Sequence, residues 1–399
     1  MPGQTKSFDS RAREASSKNR TLRIQVFCND PFSNLTKIRL RQPLTRLATE
    51  TNKVVRFSSY LSASDEDIIW PDVIIIQRAY SRSVLPLVAR ARNLGKPVIY
   101  EIDDLLTEIP EFLSHHTGYI RNKKSIIRLI NMCDAVSVTQ PKLREALLPW
   151  NSSIFICPNY ATPGTTPTDP DLAHTDDETA NLILASSDRI RLDFLMPALE
   201  QIQAIYGDRV KLTAIGNVAH NMDNIRLKFE KIEILPINEF NQLVASKKNA
   251  IGLIPLDDSK FSSCKSAVKY FDYTQAGALA VCSDCSPYRD VVSHLHNGLL
   301  TKNTTEAWVE NISQAIESTQ LRRQLVKAAQ HSIAQDHNID VAVKHWRSLF
   351  DWIAPDHQVS VLSRKNLSPG TILSIAYGKL SDLNRKRRTK RRVAKSAAD

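Results

Sequence analysis

Short runs of apolar, mostly β-branched residues alternate with longer segments of helical periodicity along most of this chain, and the alternation occurs twice. The first six runs begin at Arg23, Val54, Asp72, Pro97, Ala135 and Ser153. The second six begin at Asn181, Val210, Ile232, Ala250, Ala278 and Gly298. Strands that alternate with helices form parallel sheets with crossover helices. The sequence therefore predicts the α/β class, with two Rossmann-like sheets.

A polar segment at 161–180, with three prolines and four aspartates, separates the two sets of strands. This composition is typical of an interdomain linker. Two open α/β sheets bind ligands in the crevice outside the carboxyl ends of their strands. We expect a ligand in the cleft between the domains. The predicted division is a basic N-terminus at 1–20, a first domain at 21–160, the linker at 161–180, a second domain at 181–352 and a C-terminal extension at 353–399.

The formal net charge of +11 lies mainly in the two ends of the chain. Residues 385–399 contain eight Lys or Arg and one Asp, and residues 1–20 contain five basic and two acidic side chains. The body between them is close to neutral, so bulk charge says little about its function. The C-terminal tail has no interleaved aromatic residues, which ranks nucleic acid low as a partner. Two interpretations of the tail remain. It binds an anionic membrane surface, or it is solvated and has no partner.

The sequence contains no apolar run of the roughly 18 to 20 residues that a membrane span needs, and no apolar segment typical of a secretory signal near its start. The six cysteines are scattered, which is typical of a reducing compartment. Cys282 and Cys285 form one CxxC motif, but the further ligands of a zinc site are missing nearby. We expect a cytoplasmic protein without a bound metal.

The most informative segment for chemistry is 261–292, which reads as a loop, a helix, a tight turn and a strand. Ser262 and Ser263 are expected to cap this helix, with Lys265 in or next to its first turn. A helix N-terminus with a lysine favours a phosphate. Asp272, about two turns further along the same face, can accept hydrogen bonds from a diol such as ribose. The pattern favours a sugar nucleotide, with an ordinary charged surface helix as the alternative.

The segment resembles the donor-binding signature of the GT-B glycosyltransferases of the "group 1" class. The matching residues are Lys265, Ser266, Lys269, Asp272, Tyr273, Gly277, Ser283, Asp284, Pro287, Tyr288, Asn297, Gly298 and Trp308. The resemblance covers residues 23–352 and is most specific in the second half. It implies a GT-B fold, in which two Rossmann-like domains face each other across a cleft, here followed by C-terminal helices and a basic tail.

The resemblance implies transfer of a sugar, with retention, from a nucleoside-diphosphate sugar to a glycan, a lipid-linked acceptor or another hydroxyl acceptor. It implies neither a metal nor a cofactor besides the nucleotide sugar, because cations and helix dipoles supply the counter-charge. A cytoplasmic enzyme of this kind with a lipid-linked acceptor would work at the membrane surface. The donor-binding residues that it suggests are Ser186, Ser187, Arg189, Arg191, Ser263, Lys265, Lys269 and Asp272.

On the acceptor side, the resemblance points to Asp104 and His116 as catalytic candidates, since both lie at or after the acidic strand end VIYEIDDLL. Arg78, at the end of DVIIIQ, is a further candidate for the cleft. The alternative for Asp103 and Asp104 is that they cap the end of the strand. The alternative for His115 and His116 is that they lie on an exposed loop without a function. A metal-binding role of the two aspartates would need further oxygen ligands.

Members of the family carry two acidic residues that are separated by seven positions, and this chain departs from that pattern. The second acid is Asp272, but Cys264 occupies the first position, and Asp257 and Asp258 are the nearest substitutes. A GT-B-like binding or scaffold protein without turnover is therefore an alternative function. A nucleotide-sugar epimerase on the same fold is another.

Overall fold

The computed structural model describes residues 21–353, except for 114, 163–166, 177–178, 189, 191–192, 221, 223–226 and the side chain at 220. These residues form two six-stranded sheets in which all neighbouring strands are parallel. All twelve predicted strands are present, which confirms the two-sheet α/β architecture. The ninth strand lies at Glu230–Ile232, two residues before its predicted start.

The first sheet has the strand order β2-β1-β3-β4-β5-β6. Its strands are β1 (Leu22–Cys28), β2 (Lys53–Ser59), β3 (Val73–Gln77), β4 (Val98–Glu101), β5 (Ala135–Val138) and β6 (Ile154–Ile156). Every residue of β3, β4 and β5 is buried, as expected for parallel strands covered on both faces. The covering helices are α1 (Asn34–Thr36, Lys37–Arg41 and Gln42–Glu50), α2 (Asp65–Ile69), α3 (Leu85–Asn93), α4 (His116–Met132) and α5 (Pro141–Leu147).

The second sheet has the order β12-β11-β10-β7-β8-β9. Its strands are β7 (Ala180–Ser186), β8 (Val210–Gly216), β9 (Glu230–Ile232), β10 (Ala250–Ile254), β11 (Leu279–Ser283) and β12 (Leu299–Thr301). The helices are α6 (Pro170–Ala173), α7 (Leu195–Tyr206), α8 (Asn217–His220), α9 (Ile237–Ser246), α10 (Lys260–Ser263), α11 (Val268–Gln275), α12 (Thr305–Glu317), α13 (Thr319–Asp336) and α14 (Ile339–Ile353). Short 3₁₀ turns lie at Arg82–Val84, Gly207–Arg209 and Tyr288–Asp290.

Each sheet has an apolar core on both of its faces. The final helix, α14, is placed by the sequence with the second domain, but its buried residues Val343, Trp346 and Phe350 pack with β1 and α1 of the first. The chain thus crosses between the domains a second time after α13. The Ala161 N–H donates to the His337 carbonyl at 2.8 Å, which joins the two crossings.

The described parts of the predicted linker pack against the second domain. The Thr168 N–H donates to the Gln275 carbonyl, and the Asn249 N–H donates to the Ala173 carbonyl, each at 2.9 Å. His174 is fully buried, and burial with the nearby Arg322 lowers its pKa to about 3. The segment therefore holds fixed contacts despite its polar composition. Within the described residues no helix combines the length and apolar character of a membrane span.

The predicted helix of the 261–292 segment is divided in two. Ser259, and neither Ser262 nor Ser263, is the N-cap of α10, because its side chain accepts a hydrogen bond from the Ser262 N–H at 3.1 Å. The chain then leaves helical hydrogen bonding before α11 begins at Val268. The capping prediction is therefore wrong. The turn predicted at Gly277 is confirmed, with a left-handed φ of +86° that suits glycine.

Candidate active site in the interdomain cleft

A cavity of about 310 Å³ lies between the carboxyl ends of the two sheets. Its first wall consists of residues that follow β1, β4 and β6, and its second wall of residues that follow β7 and β10. In the second sheet, β7 and β10 are the neighbours from which the chain proceeds in opposite directions, which is the topological switch point of an open α/β sheet. The cavity thus occupies the place where the sequence predicts a ligand.

The N-terminus of α11 forms part of the second wall. Its N-cap, Ala267, has no side chain that can accept a hydrogen bond from the first helical N–H groups. Ser266, Val268 and Lys269 line the cavity at this end of the helix. Free N–H groups and the positive end of the helix dipole both favour an anion here.

Lys265 lies three residues before this helix and lines the same wall. Its ammonium lies 4.7 Å from the centre of the Phe261 ring. Among the described residues the ammonium group of Lys265 forms no hydrogen bond or ion pair, so its positive charge is available to a ligand. The sequence places this lysine in or next to the first turn of a continuous helix; it precedes α11 instead, in the segment between the two helices.

Lys269 and Asp272 lie one helical turn apart on α11. The Lys269 ammonium donates to the Ala185 carbonyl at 2.8 Å, and burial together with repulsion from Lys265 lowers its pKa to about 8. Burial raises the pKa of Asp272 to about 7, against the attraction of Lys269. Asp272 is partly buried and is not among the residues that line the described cavity. Its predicted contact with a ribose stays a prediction.

The end of β7 supplies Ser186 and Ser187 to the cavity, as expected for donor-binding residues. Asp188 follows them and also lines the cavity, with its N–H donating to the Ser186 hydroxyl at 3.3 Å. Arg189 and Arg191, the two predicted diphosphate ligands, lie outside the described residues. Ser263 does not line the described cavity; its hydroxyl donates to the Lys260 carbonyl at 2.9 Å.

The first wall carries Asp103 and Asp104, which both line the cavity. Arg78 Nη1 donates to Asp103 Oδ1 at 2.7 Å and to Asp104 Oδ2 at 3.2 Å. Burial alone would raise the pKa of Asp104, but Lys265 and Arg78 hold it below its ordinary value. Arg78 and Lys265 together supply positive charge to Asp104, and Arg78 forms ion pairs with both aspartates, whose carboxylates can accept further hydrogen bonds from a ligand. In the described part of the chain, no group of three or more His, Cys, Asp or Glu side chains could hold a metal.

A second buried arginine, Arg39, lies in the π-helical turn of α1 and also lines the cavity. It forms an ion pair with Glu101 at 2.8 Å, and both side chains are at most 2% exposed. Its Nη1 also donates to Asn159 Oδ1 at 2.9 Å. The Asn159 side chain in turn donates to the Ser266 hydroxyl of the second domain at 2.8 Å. This chain of contacts fixes the first wall against the start of α11.

The two neighbouring histidines have different surroundings. His116, the predicted catalytic histidine, does not line the described cavity, and its Nδ1 lies 2.7 Å from the Ile109 carbonyl oxygen. His115 Nε2 instead lies 3.4 Å from Asp188 Oδ1, across the cleft. The catalytic role of His116 stays a prediction. Of the two histidines, His115 is the one that contacts the second domain.

Cys264, at the position of the family's first acid, is 1% exposed and packs with Phe261 in the core of the first domain. Burial raises the pKa of its thiol to about 11, so the group is neutral at pH 7 and cannot replace a carboxylate. Asp257 lines the cavity, and its Oδ1 accepts a hydrogen bond from the Ser259 N–H at 2.8 Å. Of the two substitutes that the sequence offers for the family's first acid, Asp257 is the one that lines the cavity.

Among the polar residues that line the cavity, Arg39, Asn159 and Asp188 had no predicted role. Asp188 lies two residues after the end of β7 and Asn159 three residues after the end of β6, so their positions near strand ends were the available signal. Arg39 lies among alternating basic and apolar residues in the π-helical turn, and this pattern does not distinguish it from Lys37 or Arg41.

No model of a known protein family matches the sequence, and no curated protein matches it either. Solved structures do resemble the fold. Sucrose-phosphate synthase from Thermosynechococcus elongatus is 13% identical, with a TM-score of 0.58 over 83% of this chain and 99% of that chain. Anabaena Alr3699/HepE, solved in complex with UDP-glucose, is 15% identical, with a TM-score of 0.54 over 83% of this chain and 100% of that chain.

Staphylococcus aureus TarM, solved in complex with fondaparinux, alpha-GlcNAc-glycerol and UDP, is 15% identical with a TM-score of 0.51. The match covers 70% of this chain but only 55% of TarM, so the chain spans about half of that protein. At these identities the similarity establishes the fold alone. The GT-B fold predicted from the 261–308 segment is thereby confirmed.

Proposed function

We propose that this GT-B chain is a glycosyltransferase that moves a sugar from a nucleoside-diphosphate sugar to a hydroxyl acceptor, with retention. The observation that carries the proposal is the second wall of the cavity, where the unpaired Lys265 ammonium and the uncapped N-terminus of α11 face one space. A diphosphate is the ligand that such a wall suits best. The UDP complexes of HepE and TarM support the same ligand class.

The proposed reaction breaks the bond between the sugar and the β-phosphate, so negative charge develops on the leaving diphosphate. Lys265, Lys269 and the N–H groups of α11 are positioned to stabilise that charge, and Ser186 and Ser187 are available as hydrogen-bond partners. Asp272 is the residue proposed to hold the ribose once its carboxyl is ionised. In the proposed mechanism these protein groups, and no metal ion, stabilise the charge of the leaving diphosphate.

The acceptor would enter from the first wall, where Asp104 and Asp103 line the cavity. A glycan or a lipid-linked sugar offers the hydroxyl groups that carboxylates bind. The six free thiols support a reducing, cytoplasmic setting for the enzyme. The basic tail at 385–399, outside the described residues, is proposed to bring it to an anionic membrane surface.

The proposal is tested by thermal unfolding of the full chain with UDP, GDP and dTDP and their sugar conjugates. At least one nucleotide should raise the Tm, because ligands that bind only the folded state stabilise it. Lys265→Ala combined with Asp272→Ala should abolish the rise. Lys142→Ala, which alters an exposed lysine paired with Glu145, is the matched control and should keep it. No rise with any nucleotide would refute the proposal.

The buried thiol of Cys264 favours one second candidate, a GT-B-like protein that binds a nucleotide sugar without turnover. This candidate predicts the same nucleotide-dependent rise in Tm but no glycosidic product. Detection of sugar transfer by the purified chain would exclude it.

A further inference from the structure

Arg78 has an unusual backbone conformation at the edge of the cleft. It directly follows β3 and has a φ of +48°, in the left-handed region that side-chain-bearing residues rarely adopt. Its N–H donates to the Glu101 carbonyl at 2.8 Å, which ties this conformation to the end of the neighbouring strand β4. Strained residues persist only where the surrounding contacts hold them, and they concentrate at functional sites.

The guanidinium of Arg78 is held from two sides. On one side Nη1 contacts Asp103 and Asp104, at 2.7 and 3.2 Å. On the other, Nε donates to the Tyr119 hydroxyl at 3.4 Å, and the guanidinium carbon lies 5.8 Å from the centre of that ring. Arg78 itself is not among the residues that line the described cavity, whereas both aspartates are. It therefore acts on the cavity through the carboxylates.

The wall that these carboxylates share also contains the apolar side chains of Leu35, Ile38 and Phe112. A sugar has hydroxyl groups that donate to carboxylates and a ring face that packs on apolar groups. An anionic acceptor would instead face two carboxylates at this wall, where the Arg39 guanidinium is already ion-paired with Glu101. The first wall is thus complementary to a neutral sugar, whereas the second wall suits the anionic diphosphate.

We propose that Arg78 is a positioning residue, which orients Asp103 and Asp104 as ionised acceptors for the hydroxyl groups of an uncharged sugar acceptor. This inference rests on the proposed glycosyl transfer and names the acceptor class and the residue that prepares its site. The charged groups around Asp104 are Arg78, Asp103, Lys265 and His115, and those near Asp103 also include Arg39 and Glu101.

The first test measures the Tm of wild type and of Arg78→Gln between pH 4 and pH 8. In wild type the pKa of Asp104 is lowered, so its contribution to stability is present at neutral pH and decreases only as the pH falls through the folded pKa. Without Arg78 the pKa of the partly buried Asp104 carboxyl should rise, because one of its counter-charges and a hydrogen-bond donor are lost. The Tm deficit of the variant should then be largest near pH 7 and shrink towards pH 4. A deficit that does not change with pH would overturn the inference, and this readout needs no activity.

The second test uses as donor the nucleotide sugar that raises the Tm most in the screen described above, with methyl β-glucoside, a neutral acceptor, and methyl β-glucuronide, an anionic one. Arg78→Gln should raise the KM for methyl glucoside about fivefold or more, because the carboxylates lose the cation that orients them towards the sugar hydroxyl groups, while its nucleotide-dependent rise in Tm stays that of wild type. Wild type should prefer the glucoside over the glucuronide. An unchanged KM, or a preference for the glucuronide, would overturn the inference.

Two further variants separate positioning from folding. Arg78→Lys keeps the charge and should recover part of the loss. Asp104→Asn is nearly isosteric, and adding Arg78→Gln to it should lower kcat/KM less than Arg78→Gln does alone, because the two residues act together. Additive losses would contradict the inference. Arg90→Gln, which removes an exposed ion pair with Asp65, is the control and should behave as wild type.

The results that would refute the proposed glycosyl transfer differ from those that would refute the role of Arg78. A wild-type chain whose Tm responds to no nucleotide and which transfers no sugar would remove the proposed transferase. The pH dependence of the Arg78→Gln deficit would still decide whether Arg78 holds the carboxylates ionised.

Discussion

Asn159 of the first domain donates a hydrogen bond of 2.8 Å to the Ser266 hydroxyl of the second, two residues before α11. The carbonyl oxygen of the same side chain accepts from Arg39 Nη1 at 2.9 Å. One amide therefore connects a buried ion pair of the first domain to the helix end that we propose for the diphosphate. The separation of the two cavity walls is set in part by this contact.

Removal of the amide should cost more stability than removal of the hydroxyl. Asn159→Ala removes one of the two acceptors of the buried Arg39 Nη1, which keeps only the Cys157 carbonyl, so we expect the free energy of unfolding to fall by about 1 to 3 kcal/mol. Ser266→Ala removes one hydrogen bond at a partly exposed site and should cost about 0.5 to 1.5 kcal/mol. Urea unfolding measures both, and the reverse order would contradict the described role of Asn159.

The affinity for UDP-glucose should depend on pH with a maximum between about 7 and 8. Asp272 has a raised pKa of about 7, so the carboxylate proposed to hold the ribose is lost as the pH falls below that value. Lys269 has a lowered pKa of about 8, so its positive charge is lost as the pH rises above that value. One ionisation changes the affinity by at most about tenfold per pH unit.

Two variants assign the limbs of this profile. Asp272→Asn should flatten the acidic limb, and Lys269→Met should flatten the alkaline limb, each without changing the other. Isothermal titration of UDP-glucose provides the affinities, and this ligand is suitable because it lacks the terminal phosphate monoester that titrates near pH 6. A profile that is flat in wild type would contradict both assignments.

The thiol of Cys264 should be dispensable for transfer. It is buried and neutral, so Cys264→Ala should leave kcat within about twofold and lower stability by about 1 kcal/mol. Asp257→Asn should instead lower kcat at least about tenfold, because that carboxylate lines the cavity. Rates with Cys264→Ala far below those with Asp257→Asn would show that the thiol takes part in the reaction.

The packing of α11 on the second sheet should depend on Gly252 in β10. A Cβ at this position would lie 2.5 Å from the ring of Tyr273 on α11, so Gly252→Ala should destabilise the protein by about 1 to 3 kcal/mol. Gly118→Ala, in helix α4, is the control, since nothing lies within 4 Å of its Cβ position. That change should stabilise by about 0.4 to 1 kcal/mol in urea unfolding. Equal effects would refute the close packing.

The fold was largely predictable because the inner parallel strands are buried on both faces and therefore appear in the sequence as apolar runs. VIIIQ in β3 and AIGLI in β10 are examples, and both strands lie inside their sheets. The destination of α14 was not predictable, since its apolar stripe fits either domain in the sequence. The prediction for the short edge strand β9 was displaced because Glu230 and Lys231 are charged and exposed, whereas the apolar run that begins at Ile232 follows them.

The site was predictable only where it follows a strand or a motif. Lys265, Lys269, Ser186 and Asp104, which the sequence singles out, all line the cavity, and their roles in binding or catalysis stay predictions. The division between α10 and α11 was missed, because Ser259 caps the chain earlier than the serines on which the prediction depended. Contacts between the domains, such as Asn159 with Ser266, leave no periodic signal in the sequence.

The central claim is that the cleft transfers a sugar from a nucleoside diphosphate to a hydroxyl group. Its most direct test is incubation of the purified chain with UDP-, GDP- and dTDP-sugars, with and without neutral glycoside acceptors, followed by mass spectrometry of the products. The account predicts a glycosylated acceptor and an equal amount of released nucleoside diphosphate for at least one donor, and loss of both in Lys265→Ala. It would be contradicted by the absence of any glycosidic product across the panel, or by an epimerised nucleotide sugar formed without an acceptor.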